Sequence, residues 1–385
     1  MNLRHHRSIR PVPGWLAPLL IATTAPPALH DPIPALALPQ PVEPRASPPW
    51  PELAAVFPGA LVFGSGTWLQ GRTATTERLL LLEGASLLAI IAGGLVVYET
   101  GAARHWAGPA ELTIGLGAGT LSASFLANLY ATWAPQTGWA LPEPKPPLLA
   151  ASVGYLYAAD PQFADHHFLT TELDAHLGPW HLALDTAHSP TPGNQRIELL
   201  AGYRALGQSA PGARAGEGSF LEPQIGFSSH RFDSDGFVSS VLQIGVDSRL
   251  DAQQLLPDVQ GGFFQAMVGV ARQALAFDVP GTQAHDASSM LLLRMGFGLY
   301  LGRAAGILPT GAPASNAGEL EFYYDHRRDG FAGGLKTTGP ISGFAGHLGL
   351  SGEYRFSEAW GLRALAEAGS HWVFGISALL RAGSP

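Results

Sequence analysis

From about residue 148 to residue 381, polar and apolar side chains alternate with a period of two in segment after segment. No other feature of this 385-residue chain restricts its fold as strongly. In 168–177, Thr170, Glu172, Asp174 and His176 fall on one face, with Leu169, Leu173, Ala175 and Leu177 on the other. Asp185 alternates with Leu182 and Leu184. Gln243, Asp247 and Arg249 stand against Leu242, Ile244, Val246 and Leu250. Glu319, Glu321 and Asp325 oppose Leu320, Phe322 and Tyr324, and Glu353 and Arg355 oppose Leu348, Leu350 and Tyr354. Successive side chains of a strand point to opposite faces, so this pattern predicts strands with one wet and one greasy side. Helical periodicity is missing from this half, which excludes βαβ units and a parallel sheet.

Twelve strands are predicted, near 148–157, 166–177, 180–188, 196–206, 219–232, 236–250, 263–277, 288–301, 318–326, 343–356, 360–369 and 371–381. Turn residues such as Asp233-Ser234-Asp235-Gly236 and Arg328-Asp329-Gly330 punctuate them. The stretch 330–342 has room for a thirteenth. Two closures fit. In a soluble sandwich the apolar faces meet each other; in a membrane barrel they meet lipid and the polar faces line a lumen. Strands of ten or more residues exceed the usual ~5–6 and match the ~9–11 needed to cross a bilayer at a tilt. Aromatics gather near strand ends (Tyr155, Tyr157, Trp180, Phe232, Phe237, Phe263, Phe264, Trp360, Trp372), where interfacial girdles belong. The expected architecture is mostly β, an antiparallel transmembrane β-barrel of about twelve strands over 148–385. Its lumen would be lined by Glu172, Asp174, His176, Asp185, Gln243, Asp247, Arg249, Glu321, Glu353 and Arg355. Buried charges need partners, and Arg196 and Arg204 are the expected ones for the 172–176 face.

Over 148–385 the chain resembles bacterial outer-membrane β-barrel proteins, on its amphipathic hairpins and the tail His371-Trp372-Val373-Phe374 through Arg381. Such proteins commonly end on an aromatic residue that the barrel-assembly machinery reads; here Leu379-Leu380-Arg381 and four more residues follow instead. The resemblance implies export, periplasmic transit and insertion in the outer membrane of a Gram-negative bacterium, with outer-membrane lipid and the assembly machinery as partners.

The first 147 residues read differently. Arg4, Arg7 and Arg10, the apolar run 15–25 and Ala35-Leu36-Ala37 fit a signal peptide over 1–37. Proline density over 38–58 predicts an extended linker. A hydrophobic helical hairpin is expected within 59–140. Its helices are 79–98, charged only at Glu83, and 112–133, with no Asp, Glu, Lys or Arg, separated by Gly101 and a turn over 105–109. Gly84, Gly93, Gly94, Gly115 and Gly119 would let the two helices approach closely. Pro58-Gly59, Gly64-Ser65-Gly66 and Trp68 to Gly71 resemble the opening of small bacterial two-helix membrane modules.

Other classes fall away on composition. Net charge is −8 with only Lys145 and Lys336 as lysines, against a nucleic-acid partner. With zero cysteines there is no thiol catalysis and no disulfide framework. No Gly-rich phosphate loop precedes a helix, and the histidines His166, His167, His176, His181 and His188 do not predict a metal site, so no cofactor or metal is expected. Ser228, His230 and Asp233 are the candidates for a Ser/His/acid hydrolase at the rim. The sequence therefore favours a narrow pore or structural envelope component without catalysis, with a solute it does not identify. An outer-membrane hydrolase and a membrane-anchored β-sandwich binding module are the alternatives.

Overall fold

The computed structural model describes residues 49–383 apart from 102, 135–139, 144, 160–165, 191–192, 212–217, 233–236, 280–281, 303–315, 328–330, 332–334 and 337–343. The signal-peptide reading of 1–37, the first part of the linker and Asp233 lie outside the described residues.

Twelve strands form the main sheet: β1 (Leu149–Ala158), β2 (His167–Leu177), β3 (Trp180–His188), β4 (Gln195–Tyr203), β5 (Phe220–Arg231), β6 (Val238–Asp251), β7 (Gly262–Val279), β8 (Thr282–Gly302), β9 (Asn316–Asp325), β10 (His347–Arg355), β11 (Trp360–Ala368) and β12 (Trp372–Ala382). A two-residue strand, Leu206–Gly207, adds to the edge of β5. Each of the twelve pairs antiparallel with the next, and β1 pairs with β12 from Leu149 opposite Ala382 to Ala158 opposite Val373. The barrel is closed, so no strand edge is left unpaired. The room for a thirteenth strand is taken by Leu335–Lys336 and Phe344–Ala345, a two-residue ribbon that stands apart from the barrel sheet.

An even strand number puts both ends of the barrel chain at one end, here called the terminal end. The connections β4–β5, β6–β7 and β8–β9 open at that end too, whereas the longest, β9–β10, opens at the distal end. One of them has a visible use: after the short helix Ala252–Leu255, Leu256 and Val259 are fully buried beneath the N-terminal helices.

The outer wall is chiefly apolar, with Arg272, in register with the outward Leu242, exposed on it. Val153, Leu169, Leu173, Ile197, Ile225, Leu242, Ile244, Val270, Leu350, Phe374 and Ile376 all point outward and exposed. Trp180 and Trp360 ring it at the terminal end and Trp372 at the distal end. Two aromatics assigned to the girdle turn inward instead. Phe263 is fully buried beneath the Arg249 guanidinium, 4.0 Å from the ring centre, and Phe232 stacks on His230 at 3.8 Å. Adjacent strand residues face opposite ways, so Phe263 and Phe264 cannot share a girdle.

N-terminal to the barrel are α1 (Trp50–Val56), α2 (Ser65–Leu69), α3 (Thr73–Thr100) and α4 (Arg104–Trp133). The end of the stretch expected as extended linker is therefore helical. Pro51 sits in the first turn of α1, where a missing N–H costs nothing. α3 stops at Gly101, whose left-handed φ of 59° ends the helix. The expected turn over 105–109 is wrong: Pro109 lies inside α4, and the reversal is confined to 101–103. Glu83 accepts the Phe63 N–H at 2.9 Å and so anchors the segment before α2. Asn128, fully buried on α4, accepts from the Gly64 N–H at 3.0 Å and donates to the Ala55 carbonyl at 3.1 Å.

The hairpin does not sit at the barrel mouth. α4 lies along the outer wall of β8, and α3 packs on α4. The glycines divide between these contacts. A Cβ on Gly115 would stand 2.5 Å from Leu293 Cδ2, and one on Gly119 2.7 Å from Met295 Sδ, so this pair serves the barrel wall. Gly93 and Gly117 serve the approach of α3 to α4, while Gly84 and Gly94 face open space. Tyr130 against Phe297, with ring centres 5.8 Å apart, completes the seam.

Replacing Gly119 by Ala is therefore expected to lower the unfolding free energy by about 1–3 kcal/mol through overpacking. Gly84→Ala should raise it by up to ~1 kcal/mol through helix propensity. Urea titration in detergent micelles reads both signs.

Candidate functional site

Inward-facing positions of the strands carry the charge, and the lumen is narrow enough for arginines to reach across it. Arg363 on β11 contacts Glu172 on β2, with Glu353 at 3.4 Å and Asp174 at 4.0 Å. Arg249 on β6 grips both carboxylate oxygens of Glu319 on β9, at 2.8 and 3.1 Å, and reaches Gln265 Oε1 at 3.0 Å. Arg294 on β8 donates to Glu321 at 2.6 Å. Arg204, just past β4, donates to Glu222 Oε2 at 2.6 Å, and His181 Nδ1 meets Glu222 Oε1 at 2.7 Å. Burial lowers the Arg204 pKa and the neighbouring Glu222 opposes the shift. Arg196 pairs with Glu198 at 2.9 Å, and Arg327 approaches the same carboxylate at 3.3 Å.

All ten residues singled out for the lumen face inward. Asp174, His176, Asp247, Arg249, Glu353 and Arg355 line a cavity of about 300 Å³ at the terminal end. Glu172 and Asp185 line a second of about 290 Å³ at the distal end, together with Arg196, Glu198, Arg294, Tyr323 and His347. Gln243 donates to Glu198 at 3.3 Å and Glu321 takes Arg294. Arg363 lines one cavity and its partner Glu172 the other, so this pair stands between them. His176 stacks on His181 with ring centres 4.5 Å apart.

The expected partners of the 172–176 face are replaced. Arg196 and Arg204 are engaged by Glu198 and Glu222, and Arg363 serves Glu172 and Asp174. Contacts across the lumen compete with those between adjacent strands, and only closure of the sheet brings β11 opposite β2. Arg363, Arg294 and Glu222 were legible as inward residues from alternation within 360–369, 288–301 and 219–232, but their pairings were not.

Glu143 was not foreseen at all. It lies in the proline-rich segment between α4 and β1, of which 140–143 and 145–148 are described. Ala140 is fully buried with Phe263 and Tyr300 inside the terminal end, and Pro142, Pro146 and Pro147 line the cavity there. Glu143 Oε2 accepts from Arg355 at 2.8 Å and from Arg381 at 2.7 Å. Gln208 donates to the Glu143 carbonyl at 2.6 Å and Asn316 to that of Leu141 at 3.0 Å. The segment is thus a strap across the terminal mouth, held at four points.

Of the candidate hydrolase residues, Ser228 and His230 are described and Asp233 is not. Ser228 and His230 share the lumenal face, but the imidazole Nε2 engages Asn194 Oδ1 at 2.9 Å and the ring stacks on Phe232.

These features define a closed twelve-stranded antiparallel β-barrel with a charged interior and a helical hairpin on its outer wall. No protein-family model matches the chain, and no curated protein is significantly similar to it. Among solved structures, the KdgM porin in complex with disordered oligogalacturonate is 7% identical, covering 60% of this chain and 98% of that one with a TM-score of 0.34. A NanC porin is 11% identical, covering 60% and 99%, with a TM-score of 0.35. The translocator domain of the autotransporter NalP from Neisseria meningitidis is 12% identical, covering 60% and 88%, with a TM-score of 0.34. Likeness at this level carries no argument about function, and the barrel stands on its own strand pairing.

Arg363→Met takes the cation from Glu172 and leaves Asp174 and Glu353 with only the longer contacts to His181, at 3.6 Å, and Arg355, at 3.8 Å. It is expected to cost about 1–3 kcal/mol of stability. Adding Glu172→Gln should recover part of that loss, as read by urea midpoints and by retention of a compact unheated band on a gel.

Proposed function

We propose that this protein is an outer-membrane β-barrel of a Gram-negative bacterium that acts as a narrow pore, or as a structural component of the envelope, without a catalytic role. The observation that carries this reading is the inversion of the barrel. Its exposed wall is an apolar belt with tryptophans at its ends, interrupted by the outward Arg272, while most of the barrel's charges line two internal cavities. A water-soluble protein gains nothing from that arrangement, and a bilayer requires it. A barrel of twelve strands encloses a lumen that side chains nearly fill, which suits small polar solutes better than large ones.

The hairpin fits the same setting. Leu81, Leu88, Ile91, Leu95 and Tyr98 project exposed from α3, on the side of the molecule where the barrel wall is greasy. Lodged beside the barrel, α3 meets lipid on the faces that α4 leaves bare. An 18-residue window of α3 with a mean hydropathy of 2.2 supports that placement.

In this reading the strap regulates entry at the terminal end. Arg355 and Arg381 both rest on Glu143, so Glu143→Ala removes two charge-assisted contacts at once. Each contact of this kind contributes about 1.5–3 kcal/mol, so the strap-open population should rise on the order of tenfold or more. Planar-bilayer recordings are expected to show rare or small openings for the native chain and frequent, larger ones for the variant. A variant with native conductance would remove the strap from the pore, and absence of conductance in both would leave the structural role alone.

A further inference from the structure

Between the hairpin and the barrel's outer wall lies a crevice of about 220 Å³ that the docking of α4 leaves unfilled. Its walls are Leu82 of α3, Ala123 and Ser124 of α4, and Leu250, Phe264 and Met295 of β6, β7 and β8. Protein interiors do not leave a void this large empty without cost. Water is a poor tenant, because it needs several polar partners and the lining is chiefly hydrocarbon.

One lining group is polar and unsatisfied. Ser124 is fully buried, and its hydroxyl has no hydrogen-bond partner. Other hydroxyls of the same two helices donate to the carbonyl four residues earlier: Ser86 to Leu82, Thr113 to Pro109, Ser122 to Ala118 and Thr132 to Asn128. Ser124 is left as a donor on the crevice wall. Further along the same outward faces of β6 and β7, Leu242, Ile244 and Val270 project exposed.

We infer that this crevice is a lipid site, filled by one acyl chain of a bilayer lipid whose ester carbonyl accepts a hydrogen bond from Ser124. The site rests on the membrane reading proposed above and adds a specific, bound lipid to it. The bound chain would act as a shim that completes the packing between hairpin and barrel.

The test uses the full chain in phosphatidylethanolamine–phosphatidylglycerol vesicles containing a small fraction of phospholipid with a diazirine on one acyl chain. After irradiation, adducts are mapped by peptide mass spectrometry. Adducts concentrated around Ser124, Phe264 and Met295 above the level at Leu242 and Ile244 are expected. Ala123→Phe, which fills the crevice, should abolish the excess and leave the belt adducts unchanged. Ser124→Ala, which disturbs the fold least, should lower it. Crevice adducts no denser than belt adducts, or an excess that survives both substitutions, would overturn the site while leaving the membrane reading intact. Absence of adducts on the belt as well would overturn both.

Discussion

Ten consecutive residue pairs, from Leu149 with Ala382 to Ala158 with Val373, join the first strand to the last, and most of the molecule's other properties follow from that seam. Hydrocarbon offers no hydrogen bonds, so a sheet crossing it must satisfy every backbone group internally, and closure is the way a sheet does so. Closure also divides every strand into an inward and an outward face. Each polar residue of the alternating pattern is then committed to a lumen only a few side chains wide.

That narrowness decides the electrostatics. Arginines from β6, β8 and β11 meet carboxylates on β9 and β2, and Arg363 touches strands that are distant in sequence. The lumen is therefore cross-braced, and the Arg363–Glu172 pair divides it into two cavities. At the terminal end the same chemistry ties down a loop: Glu143 borrows two lumenal arginines and draws a proline-rich strap over the opening. Along the outer wall of β8 small residues do the work. Gly115 and Gly119 bring α4 against Leu293 and Met295 closely enough for dispersion to hold it.

Much of this was legible from the amino-acid sequence. The twelve strands announced themselves because each has an apolar outward face and a polar inward one, and period-two alternation records nothing else so clearly. What escaped was whatever depends on closure or on docking. The sequence pointed to Arg196 and Arg204 as partners of the 172–176 face rather than to Arg363, since the partner lies across a barrel whose stagger the sequence does not state. Phe263 reads as a girdle residue from its place near a strand end, and only its parity with Arg249 sends it inside. Gly115 and Gly119 signal a close approach but not whether a helix or a strand approaches. Glu143 falls among prolines between the predicted hairpin and the first strand, where neither the helical nor the strand period applies.

The central claim, an apolar exterior in lipid around a charged lumen, is tested most directly by a nitroxide scan. The chain has zero cysteines, so single cysteines placed along 373–380 of β12 can each be spin-labelled without background. In vesicles, collision with dissolved oxygen should peak at Phe374, Ile376, Ala378 and Leu380 and fall at Val373, Gly375, Ser377 and Leu379. A water-soluble nickel complex should avoid the first set. If the nickel complex instead reaches Phe374 and Ile376 freely, or if no two-residue period emerges, the wall does not face lipid and the barrel is not a membrane protein.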